Sequence, residues 1–142
     1  AARFFEEGHS PEEVLAIMKQ RKINFPTISQ TLNDFIGKKN ISVETIAVLS
    51  DINAATIYRI MKEERNPTRN AIIRIAMAMS LNIHETQTLL KSATLAPLTG
   101  TRERNLIIME GIAQERDYET VNEMLKAKNF PDLSIKGESK KR

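Results

Sequence analysis

Ser42-Val43-Glu44-Thr45-Ile46-Ala47-Val48-Leu49-Ser50-Asp51-Ile52-Asn53-Ala54-Ala55-Thr56-Ile57-Tyr58-Arg59-Ile60-Met61-Lys62 reads as two short helices joined by a tight turn. Ser42 is a capping residue for the first helix, which runs to about Ser50. Asp51-Ile52-Asn53 forms the turn, with Asp51 at the position that needs unusual dihedrals and Asn53 as cap of the second helix. Ala47 is the small residue that lets the second helix cross closely over the first. Ile52, Ile57 and Ile60 are the apolar residues that pin the second helix inward. Its outward face is then Ala54, Ala55, Thr56, Tyr58, Arg59 and Lys62.

The flanking sequence repeats the pattern of cap, apolar periodicity and breaker. Upstream, Ser10-Pro11-Glu12-Glu13 opens a predicted helix through Val14, Leu15, Ile17 and Met18 to about Arg21, ended by Asn24-Phe25-Pro26. Thr27 caps a second segment carrying Ile28, Leu32, Phe35 and Ile36, with Gly37, Lys38 and Lys39 near its end. Downstream, Glu63 to Pro67 is a polar break. Thr68 then caps a helix with Ile72, Ile73, Ile75, Ala76 and Met79. Asn82-Ile83-His84-Glu85 is a capping box opening a helix through Leu89 and Leu90. Residues 94–101, with Pro97 and Gly100, read as a connector. Two further helices are predicted at about 102–115 and 119–128.

Composition agrees with packed helices. Of 142 residues 41% are hydrophobic but only 5% aromatic, with no Trp, so the core is built from Ile, Leu, Val, Met and Ala. A net charge of +3 is a weak pointer to a polyanion, and the position of the cations matters more. With no cysteine, disulfides and cysteine-based zinc sites are excluded. No apolar run approaches the roughly 20 residues that span a bilayer. The start, Ala1 to Glu7, does not read as a signal peptide, and the expectation is a cytoplasmic protein without membrane contact. His9 and His84 are far apart, so no metal site and no cofactor are expected. The acidic pairs Glu12-Glu13 and Glu63-Glu64 read as capping or solvated charge, and no P-loop or nucleophile motif is present, so the chain is not read as an enzyme.

From Ile28 to Pro97 the sequence resembles the Cro/XRE family of phage-repressor-like helix-turn-helix regulators of bacteria and phages. The residues that carry the resemblance are Ile46-Ala47, Ile52-Asn53, Thr56-Ile57-Tyr58-Arg59-Ile60, Arg65-Asn66-Pro67, Ile75-Ala76-Met77-Ala78-Met79 and Leu81-Asn82-Ile83-His84-Glu85. They follow the family's order and spacing without an insertion. Asp51 and Glu63 stand where Gly is usual, Met77 where a polar residue is usual, and Ala54 and Ala55 where longer readers are common.

The resemblance implies an all-α fold with a five-helix DNA-binding domain at 26–97; the flanking residues read as an N-terminal helical extension at 1–25, a C-terminal helical pair at 98–133 and a disordered basic tail at 134–142. It implies transcriptional regulation, with a repressor the favoured form, by a homodimer on double-stranded DNA. Helix 54–62 would enter the major groove, with Ala54, Ala55, Thr56, Tyr58 and Arg59 facing bases and Ser42, Asn53, Lys62, Arg65, Asn66 and Arg69 contacting phosphate. Arg59 is the candidate for a bidentate guanine contact. Glu63 and Glu64 would repel phosphate. The alternative is an adaptor or antitoxin-like module that keeps the fold without reading DNA. Leu106, Ile107, Met109 and Ile112 form more apolar surface than one short helix exposes, so residues 102–133 pack on the core, on the last helix, on a second subunit or on a protein partner.

Overall fold

The computed structural model describes Glu12 and residues 26–135. The predicted N-terminal helix lies outside the described residues apart from Glu12, and so does the tail from 136 onward. Between Ile28 and Ala127 the chain forms seven α-helices, and no strand occurs among the described residues. They are α1 (Ile28–Lys39), α2 (Val43–Ser50), α3 (Ala54–Met61), α4 (Arg69–Ala78), α5 (Ile83–Ser92), α6 (Glu103–Ala113) and α7 (Tyr118–Ala127).

Six of the seven starts are fixed by a side-chain cap. Thr27, Ser42, Asn53, Thr68, Asn82 and Asp117 each accept a hydrogen bond from an amide of the first turn, while Arg102 makes no such bond. Thr27–Gln30 and Asn82–Glu85 form complete capping boxes.

The helix ends share one device. Asn40, Asp51, Glu63, Ser80, Thr94, Glu115 and Asn129 all have φ between 54 and 62°, and each follows a helix. After each of them an amide reaches back five residues, from Ile41 to Ile36 and likewise through to Phe130 and Leu125, over 2.8–3.3 Å. This is the Schellman closure, made here without glycine. Five of the seven donors, Ile41, Ile52, Leu81, Leu95 and Phe130, are apolar, so the residue that closes one helix also inserts into the core.

α4 is the centre of the molecule. Every residue from Ala71 to Met79 is buried, Arg74 included, and α4 contacts α2, α5 and α7. Met77, at 8% exposure, belongs to the core and not to the surface. One hydrophobic cluster runs from Ile28 through Ile72, Leu90, Ile108 and Leu125 to Leu133 and Ile135. The ordered packing therefore extends two residues past the expected boundary at 133: Ile135 is 5% exposed. Most of the apolar excess of α6 is covered within the chain, since Ile107, Ile108 and Ile112 are buried and α6 contacts α5 and α7. Leu106 remains 49% exposed.

Two helical glycines have opposite roles. A Cβ added at Gly111 would run into Val121 Cγ2, so the α6–α7 crossing depends on the missing side chain. A Cβ at Gly37 would meet nothing within 4 Å. Gly37→Ala is expected to raise stability by about 0.5–1 kcal/mol through helix propensity. Gly111→Ala is expected to lower it by about 1–3 kcal/mol through overpacking. Urea unfolding of both variants checks the opposite signs.

Glu85 ties α5 to α1. Its carboxylate accepts from the Asn82 amide at 2.9 Å and lies 3.3 Å from Lys39 Nζ and 3.8 Å from Lys38 Nζ. The Asn82 hydrogen bond foremost, and then Lys39 and Lys38, hold its pKa below the ordinary value near 4.5. A depressed carboxyl pKa stabilises the fold above the ordinary value, and that contribution is lost as pH falls through the folded value. Glu85→Ala is expected to cost about 1 kcal/mol at pH 7. In urea titrations the difference from wild type should shrink as the pH is lowered below about 4.5.

Candidate nucleic-acid interface

α2 and α3 are joined by Asp51, Ile52 and Asn53. Asp51 takes the left-handed conformation at φ 56° that its position requires, and the Ile52 amide closes back on Ala47 O at 3.2 Å. Asn53 Oδ1 accepts from the Ala55 amide at 2.8 Å and starts α3 at once. Ile52, Ile57 and Ile60 are 2%, 0% and 1% exposed, so α3 is seated by the three residues expected to seat it.

The face left outward is narrower than the expected one. Ala55, Tyr58, Arg59 and Lys62 are exposed and follow i, i+3, i+4, i+7 spacing, which makes one stripe along the helix. Thr56 is 5% exposed and belongs to the inner face with Ile60, four residues on, so it cannot meet a base edge. The same spacing in the sequence carried that signal. Ala54 is half-buried at the side of the stripe. Among the described residues, Arg59 and Lys62 make no ion pair or side-chain hydrogen bond, so both heads stay available.

Tyr58 is only partly available. Its hydroxyl donates to Glu44 Oε2 at 2.8 Å, and that bond, followed by burial, raises its pKa. The bond brings a carboxylate of α2 beside the stripe. Glu44 is absent from the expected site because it lies fourteen residues before Tyr58, and only the crossing of α2 and α3 joins them.

The expected phosphate contacts divide. Ser42 Oγ accepts from the Thr45 amide at 3.1 Å and donates to Thr45 Oγ1 at 2.9 Å, and Asn53 Oδ1 is a cap; both are built into helix starts. Arg69 is engaged elsewhere. Its Nε donates to Ala96 O at 3.0 Å and its Nη2 to Pro97 O at 2.9 Å, so it holds the connector before α6, and burial lowers its pKa. Lys62 and Asn66 are exposed, while Arg65 is half-buried. Glu63, at φ 60°, and Glu64 are exposed after α3.

Beside this face α2 exposes Val48 at 80% and Leu49 at 51%. No group of acidic or histidine side chains able to hold a metal occurs among the described residues. No helix among them is long and apolar enough to cross a membrane. No family model, curated protein or solved structure matches the chain.

Proposed function

We propose that this chain is a DNA-binding transcriptional regulator of the phage-repressor-like kind, acting as a repressor by docking α3 in the major groove of an operator. The observation that carries the reading is the stripe Ala55, Tyr58, Arg59 and Lys62 on a short helix whose opposite side is fully seated in the core. A seated helix whose stripe carries two basic heads without ion pairs among the described residues can present side chains to base edges without ordering its backbone. Arg59 would read guanine in bidentate fashion, Ala55 would meet a thymine methyl, and Lys62 and Asn66 would lie toward phosphates. Occupying an operator in this way blocks a promoter, and two copies on a two-fold site belong to the same proposal.

Fluorescence anisotropy of a labelled duplex, titrated at several salt concentrations, tests it. Binding is expected in the range of about 1–100 μM for non-specific duplex near physiological salt, and should weaken steeply as salt rises. Absence of binding at low salt would sink the proposal.

A second reading is favoured by a specific observation. Val48 and Leu49 are exposed on α2, and the Glu44 carboxylate engages the hydroxyl of Tyr58, so the surface beside α3 is apolar and acidic as well as basic. Such a surface suits an adaptor or antitoxin-like module that binds protein. Failure on DNA would move the assignment there.

A further inference from the structure

Arg74 is 7% exposed at the middle of α4, and it faces the α2–α3 turn. Its Nε donates to Ser50 O at 3.0 Å and its Nη2 to Asp51 O at 3.0 Å. These are carbonyls at the C-terminal end of α2, where a helix leaves acceptors unsatisfied and favours a cation. The third nitrogen, Nη1, donates to Leu133 O at 3.1 Å. The guanidinium also lies 4.1 Å from the centroid of the Tyr118 ring, while the Tyr118 hydroxyl donates to Asp51 Oδ2 at 3.2 Å. One buried side chain thus bonds the turn to the segment around Leu133.

The segment Pro131–Ile135 is held by the same neighbourhood. Arg104 Nε donates to Pro131 O at 2.7 Å and its Nη2 to Asp132 O at 2.9 Å. Asn70 Nδ2 donates to Ser134 O at 2.9 Å, and the Leu133 amide donates to Asn122 Oδ1 at 2.6 Å. The Leu133 side chain is fully buried. The segment forms no helix, so side chains of α4, α6 and α7 supply the partners its backbone requires.

We propose that residues 131–135 form a strap that sets the α2–α3 turn through Arg74, which makes Arg74 a positioning residue for α3 and the strap a control point on the proposed DNA-reading face. The physical reason is the cost of a buried guanidinium with missing acceptors. If the strap leaves, Nη1 loses Leu133 O and water reaches the guanidinium, whose Nη2 also lies 3.8 Å from Asp51 Oδ2. Its bonds to Ser50 O and Asp51 O then compete with water and weaken. These are the bonds that fix where α3 starts. Tyr118 adds a second hold on Asp51, through the same carboxylate oxygen that lies 3.8 Å from Arg74 Nη2, and its ring covers the same guanidinium.

The consequence for DNA affinity rests on the proposed function, but the coupling itself does not. Hydrogen exchange by NMR on the full chain measures the coupling directly. Two variants are compared with wild type: Leu133→Ala, which loosens the strap, and Tyr118→Phe, which keeps the ring and removes only the bond to Asp51. In Leu133→Ala the amides of Ile52, Thr56 and Ile57 are expected to exchange about tenfold faster relative to those of Leu32 and Phe35 in α1. Tyr118→Phe should show the same regional pattern at smaller amplitude. Equal acceleration at all these amides in Leu133→Ala, or none in the turn in that variant, would overturn the proposal. Anisotropy on the same samples separates the two ideas. Regional loosening in a protein that never binds duplex keeps the coupling and removes the DNA reading.

Discussion

Replacing Arg59 with alanine is expected to weaken binding to a preferred duplex by roughly 5- to 150-fold, the equivalent of about 1–3 kcal/mol for one bidentate base contact. The stability of the fold should stay within about 0.5 kcal/mol of wild type, because the side chain is exposed and makes no ion pair or side-chain hydrogen bond among the described residues. Lys62→Ala separates position from readout. As a phosphate contact its loss should weaken all duplexes about equally and reduce the slope of log affinity against log salt by about 0.9. Anisotropy titrations of both variants on two unrelated duplexes distinguish these outcomes. If Arg59→Ala leaves affinity and sequence preference untouched, the stripe on α3 is not the reading surface. Thr56 provides the internal contrast: it is 5% exposed, and a substitution there should act through stability and not through base choice.

The second large effect is on folding. Ile57 and Ile60 are 0% and 1% exposed on the inner face of α3, in a core without tryptophan. Truncating Ile57 to alanine is expected to lower the unfolding free energy by about 2–5 kcal/mol, a sum of lost transfer energy and the cavity left behind. That is a large share of a typical domain stability of about 5–15 kcal/mol. The urea midpoint should fall while the slope of the transition stays unchanged. An Ile57→Ala protein with wild-type stability would mean that α3 is not seated as described. The pair of experiments is informative together, since one stripe of the same helix should govern binding and the opposite stripe should govern stability.

Much of this architecture was legible in the residues. Caps are local, so Thr27, Ser42, Asn53, Thr68 and Asn82 announced five helix starts before any packing was known. The last helix reads from the sequence as starting at Glu119, whereas Asp117 accepts from the Thr120 amide at 2.8 Å and the helix begins at Tyr118. The break at each turn is visible in the sequence, where Asp51 and Glu63 stand out as departures from glycine. Every helix from α1 to α7 closes on a non-glycine left-handed residue, so the two belong to a pattern of the whole chain. Asp51 moreover supplies a carboxylate that glycine lacks, and Tyr118 binds it.

By itself the sequence determined what depends on neighbours within a few positions: an all-helical chain, the limits of α2 and α3, and the inward placement of Ile52, Ile57 and Ile60. Helical spacing along α3 also contained the distinction between Thr56 and Arg59. Only the tertiary structure decided which charges remain for a partner. Arg59, Arg69, Arg74 and Arg104 are the same residue type, all on helices, yet Arg59 faces outward while the other three donate to backbone carbonyls of distant segments. Those acceptors lie 23 to 59 positions away for Arg74. The physical reason is that an arginine is buried where unsatisfied carbonyls converge on it, and carbonyls converge where a helix ends or a non-helical segment passes, a property of the packing and not of the local sequence.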